Sequence, residues 1–115
     1  LKESGGALGT YQAQALLTAL SQRWGDASMD PKGVDGAVGN NTRSAIKGFQ
    51  KAGDQPQTGT FDPATAANLK DIWSKYGGPS IILPRNPSAN DVKTVAVLNN
   101  LRAAWGVAGS GGGSA

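Results

Sequence analysis

Val34-Asp35-Gly36-Ala37-Val38-Gly39-Asn40-Asn41-Thr42-Arg43-Ser44-Ala45-Ile46-Lys47-Gly48-Phe49-Gln50 is the stretch on which the reading of this chain turns. It begins as a tight turn, since Asp35-Gly36 pairs a side chain that bonds its own backbone with a residue that tolerates positive φ. A second glycine, Gly39, marks a helix entry, and Thr42 falls in the first turn. The predicted helix runs from about Asn40 to Lys51 or Ala52, with Ala45, Ile46 and Phe49 on its apolar face. Gly53 stops it. The same plan recurs downstream: Gly36-x-x-Gly39-x-x-Thr42 is matched by Gly59-x-x-Asp62-x-x-Thr65, which leads into another helix.

Outward from there, three more helices are predicted. Thr10 is the expected N-cap of the first, which reaches Trp24 and stops at Gly25. Ala13, Leu16, Leu17, Leu20 and Trp24 share one arc at helical spacing, with Gln14, Thr18, Ser21 and Gln22 outside it. Asp62-Pro63 opens another helix with an acceptor at the N-cap and a ring that forfeits no bond. That helix runs to about Tyr76 and ends at Gly77-Gly78-Pro79. Ser88 and Asp91 form a capping-box pattern for the last helix, which reaches Trp105 before Gly106. The loop from Asp26 to Gly39 has no helical period and is expected to hold a short extended piece near Val34 or Val38. Ile81-Ile82-Leu83, between prolines, is expected to lie extended over the core.

Composition limits the function. The 115 residues suit one domain, and 38% hydrophobic content supports one modest core. Trp24, Trp73 and Trp105 all fall on apolar arcs, where core packing is their expected role. The net charge of +3 comes from 11 scattered cations, without the basic stripe interleaved with aromatics that nucleic-acid binding needs. The chain has no His and no Cys, and its one Glu is Glu3. That removes the commonest bases, nucleophiles and zinc ligands, so neither catalysis nor a cofactor is expected. No apolar run approaches the roughly 20 residues that span a bilayer. The chain opens at Leu1 with no signal-peptide pattern, which fits a processed or trimmed product.

Residues 11–72 resemble the small peptidoglycan-binding-like (PG_binding_1) family. The matching elements are Leu16-Leu17-x-x-Leu20, then Asp35 through Thr42, then Ala45-Ile46-x-x-Phe49-Gln50, then Gly59 through Thr65 and Leu69. Thr58 stands where the family often carries Asp, and Asp62 where it often carries Gly. The Gln usual beside the leading leucines has no evident counterpart. The resemblance implies an all-α three-helix bundle over residues 10–78. To it the sequence adds an extended segment and a fourth helix (79–106) packed through Leu98, Leu101 and Trp105. Residues 1–9 read as a flexible lead-in and 107–115 as a Gly/Ser-rich tail.

The resemblance also implies noncatalytic attachment to peptidoglycan, in the periplasm, at the cell wall or outside the cell. Arg43, Lys47 and Gln50 share a helix face turned away from Ala45 and Phe49. Arg can grip a muropeptide carboxylate bidentately, Lys offers a point charge, and Gln pairs an amide. Asp35 and Asn41, at the neighbouring turn, can accept from and donate to peptide or sugar. The same residues also fit a solvated helix face and a turn that needs no ligand. A second reading keeps the fold as a docking subunit of an envelope or extracellular assembly, with a protein partner on the fourth helix and the Gly/Ser tail.

Overall fold

The first helix is the axle of the fold. A computed structural model describes residues 9–34, 36 and 39–107. The expected lead-in before residue 9, the tail after Val107, and Asp35 and Val38 lie outside the described residues. Helix α1 (Thr10–Trp24) contacts all the other helices and the single 3-10 turn η1 (Ala27–Met29). Helices α2 (Asn40–Ala52), α3 (Pro63–Lys75) and α4 (Ala89–Trp105) are arranged around it, and no strand forms among the described residues. The all-α architecture expected from the sequence is what the chain adopts.

Because α1 is surrounded, it buries more than one arc. Leu16, Leu17 and Leu20 are fully enclosed, as the periodicity predicts, and each contributes about 1.5–3 kcal/mol by leaving water. Gln14 and Ser21, expected outside the apolar arc, are enclosed as well. Their polar atoms are satisfied locally or across the core: the Ser21 hydroxyl donates to the Thr18 carbonyl at 2.9 Å. The N-cap of α1 is Gly9, one residue before the expected Thr10, and its N–H is taken by the Gln12 side chain at 2.9 Å. At the other end Gly25 adopts φ 65°, ψ 31°, the left-handed cap that a side chain would strain.

The loop after α1 contributes to the core in a way that periodicity does not reveal. Asp26 caps η1 by accepting from the Ser28 N–H at 3.0 Å, and this turn drives Met29 into the core. Val34 is buried too. Helix α2 then lies so close to η1 that a Cβ on Gly48 would stand 2.6 Å from the Ser28 carbonyl oxygen. This explains a glycine in the middle of a helix, where propensity alone disfavours it by about 1 kcal/mol relative to Ala.

Helix α3 begins at the expected Asp62-Pro63 cap, with Asp62 accepting from the Thr65 N–H at 3.0 Å. Trp73 is fully enclosed at its far end and donates its indole N–H to the Pro79 carbonyl at 2.9 Å. Trp105 of α4 meets Trp73 edge-on at 5.8 Å, Lys70 lies over Trp105, and Arg102 lies over Trp73. Arg102 also donates to the Gly78 carbonyl at 2.7 Å, so charge, aromatic face and backbone together fix α4. Burial holds the Arg102 pKa below its ordinary value. Leu98 and Leu101 complete the contact, as expected, and the Ser88–Asp91 capping box forms.

The segment before α4 departs from expectation. Only Ile81 packs against the core; Ile82 is 75% exposed and Leu83 nearly half exposed. The reason is that Trp73 and the Gly77-Gly78 turn already close that end of the bundle, leaving the strap to run over the outside.

Candidate functional site

Two buried glutamines build the loops around α2. Gln14, from α1, accepts the Gly36 N–H through Oε1 at 2.8 Å and donates through Nε2 to the Thr42 hydroxyl at 2.9 Å. Gln50, from α2, accepts the Gly59 N–H at 3.0 Å and donates to the Thr65 hydroxyl at 3.0 Å. Each amide therefore ties the glycine of a loop to the threonine of the helix that follows. The Gly-x-x-x-x-x-Thr spacing seen twice in the sequence marks these two clasps. Gln50 further directs Nε2 at the Thr58 hydroxyl and the Thr60 carbonyl, so its two hydrogens serve three acceptors.

The expectation that Gln50 offers its amide to a ligand is therefore corrected. Gln50 is 1% exposed and spends both ends of its amide on the 58–65 loop. Helical spacing places it in line with Arg43 and Lys47, but this loop folds over the last turn of α2 and covers it.

Arg43 and Lys47 stay exposed, and the loop brings them together. A Cβ on Gly59 would lie 2.9 Å from Lys47 Cε, 3.4 Å from Lys47 Cγ and 3.6 Å from Arg43 Cγ. The aliphatic stems of both residues thus cross the bare backbone of Gly59, which sits at φ 73°. Thr58 and Thr60, on either side of Gly59, are exposed as well. Lys51 continues this row one helical turn on, and α2 contains no acidic residue. Among the described residues no carboxylate pairs with any of the three. Lys51 escaped the sequence reading, although its i+4 spacing from Lys47 was the available signal.

Asn41 lies apart from this row. It lines a concavity of about 380 Å³ with Pro31, Lys32 and Asn40 at the entry to α2. Lys32, also unforeseen, holds φ 56° there, with its N–H bonded to Asp30 Oδ1 at 2.9 Å. The Asp30-Pro31-Lys32-Gly33 turn is its sequence signal. Asp35 lies outside the described residues.

Asp62, in the loop that covers Gln50, is committed to structure. Asp62 accepts from both the backbone N–H and the hydroxyl of Thr65, which hold its pKa below the ordinary carboxylate value. A weaker bond from the Thr58 hydroxyl acts in the same direction, so Thr58, where the family often has Asp, works as a loop tie.

Residues 9–69 match the family described as "Putative peptidoglycan binding domain". The match covers more than half of the chain, spans α1, α2 and the first half of α3, and includes both glutamine clasps. The chain belongs to this family of peptidoglycan-binding domains. No curated protein and no solved structure matches it. No described helix is long and apolar enough to cross a membrane.

Proposed function

We propose that the chain is a noncatalytic anchor that holds a larger protein or assembly to the bacterial cell wall by gripping the stem peptides of peptidoglycan along α2. The observation that carries this reading is the row Arg43-Lys47-Lys51, three exposed cations on a helix without acids, two of them stacked over Gly59. Free carboxylates recur along peptidoglycan. Arg43 can take one bidentately, while Lys47 and Lys51 serve as point charges for the next. Asn41 and Lys32 offer a neighbouring polar contact. Family membership supports the ligand class, and cell-wall association follows from it.

Cosedimentation with isolated sacculi over a salt series tests the reading. Pelleting that survives a salt concentration at which the screening length falls to about 3 Å is the expected result. The Arg43→Ala, Lys47→Ala double variant should stay folded and lose most of this binding. Wild-type pelleting by that variant would remove the α2 site. Failure of the wild-type chain to pellet would remove the anchoring role.

A further inference from the structure

Helices α1, α3 and α4 all deliver their C-terminal ends to the neighbourhood of Tyr76. Trp24, the last residue of α1, meets the Tyr76 ring at 5.6 Å and near a right angle. Tyr76 itself caps α3, and it lines one concavity with Trp105, the last residue of α4. The Tyr76 side chain is nevertheless 42% exposed. It stands between two open concavities, one of about 670 Å³ toward Trp105 and one of about 500 Å³ toward Ile81 and Ile82. Arg23 lies 5.5 Å from the ring centre, and among the described residues no carboxylate pairs with it. The strap that forms the far wall is held by a 2.6 Å bond from the Ile82 N–H to Gln22 Oε1.

We propose that this trough is a second binding site, separate from the α2 row, that takes the N-acetylated glycan strand of peptidoglycan. The inference rests on the peptidoglycan reading above. Two open concavities that share one aromatic ring suit a linear polymer better than an enclosed small molecule. A hexopyranose offers an apolar C–H face to an exposed aromatic ring and polar groups at its rim. The acetamido methyl has an apolar partner in Pro79, Ile81 and Ile82, and its carbonyl has a donor in Arg23. An extended peptide is the weaker occupant, because no strand among the described residues offers an edge to pair with.

The test titrates the full chain with neutral N-acetylglucosamine oligomers at high salt, following tryptophan fluorescence from Trp24 and Trp105. Neutral oligomers lack stem peptides and carboxylates, so the α2 row cannot account for their binding. Saturable binding is expected, weakened at least about tenfold by Tyr76→Ala. Ile82→Asp, at a solvent-facing position, should weaken it as well and guards against misfolding of the tyrosine variant. The Arg43→Ala, Lys47→Ala chain should bind the oligomers normally. No response to the oligomers, with sacculi still pelleted, overturns the glycan trough and leaves the anchor reading standing. Unchanged oligomer binding by both Tyr76→Ala and Ile82→Asp overturns it too, as does a fluorescence response to stem peptide alone.

Discussion

Gln14 in α1 and Gln50 in α2 occupy equivalent places: each buried amide joins a loop glycine N–H to the hydroxyl of a threonine in the next helix. The domain is thus assembled from two like units, each clasped from the helix before it. Replacing Gln50 by Met keeps the volume and deletes the clasp. The Gly59 N–H then loses its partner in a site closed to water, while the Thr65 hydroxyl keeps its bond to Asp62. Urea unfolding should show a loss of about 1–3 kcal/mol, the cost of one stranded buried polar group. Gln14→Met should destabilise the chain in the same direction. Sacculus binding by the folded fraction should not change with Gln50→Met, because that side chain does not reach solvent. A loss of affinity without a loss of stability would return Gln50 to the ligand site.

Gly48 offers a prediction in which two local rules oppose each other. Alanine is the better helix former by about 1 kcal/mol. At this position its methyl would stand 2.6 Å from the Ser28 carbonyl oxygen, a backbone atom fixed by η1. Overpacking of that kind costs about 1–3 kcal/mol, so the net effect of Gly48→Ala should be destabilising. Its thermal midpoint should fall below that of the parent chain. A rise would mean that η1 moves away from α2 at little cost.

Much of the fold was legible because its signals are local. Asp62-Pro63, Ser88 with Asp91, and the stop glycines at 25, 53 and 106 act within a few residues, and each appears where the sequence places it. What escaped depends on residues distant in sequence. Gln14 looks like a solvent-facing helix residue until Gly36 and Thr42, more than twenty positions on, close over it. Gln50 follows Arg43 and Lys47 at perfect helical spacing, yet the 58–65 loop removes it from the surface. Met29 is drawn inward by a 3-10 turn that no apolar period announces. Arg43 and Lys47 were visible on α2 because a helix face needs no tertiary information. The trough at Tyr76 was not, because it exists only where three helix ends meet.

Asp62 should make stability sensitive to acid. Its folded pKa lies below the ordinary carboxylate value because the Thr65 N–H and hydroxyl favour the carboxylate. A depressed folded value means that the unfolded chain binds the proton more readily. The stabilisation is therefore complete above the ordinary carboxylate range and is lost as pH falls through the folded value. Asp62→Asn retains a capping oxygen but cannot titrate. Denaturation at a series of pH values should show the parent chain more stable near neutrality and the two converging in acid. A constant gap at every pH would assign the difference to something other than this carboxylate.

The region beyond the family match should be needed for folding. The match ends at residue 69, before Trp73, and α4 lies wholly outside it. Yet Trp73 is fully enclosed, with its N–H on the Pro79 carbonyl, its face under Arg102 and its edge against Trp105. Ending the chain at Gly77 removes all three partners and also strips Leu98 and Leu101 from the core. At about 1.5–3 kcal/mol for each large apolar side chain, the loss reaches about 5 kcal/mol or more. That is comparable with the whole stability of a small domain, about 5–15 kcal/mol. The shortened chain should lose cooperative unfolding, and its Trp73 emission should shift to that of a solvated indole. Trp105→Ala, a milder lesion, should lower the midpoint while leaving one transition. A shortened chain that unfolds cooperatively with Trp73 still shielded would show that α1, α2 and α3 close their own core, making α4 an appendage to a complete domain.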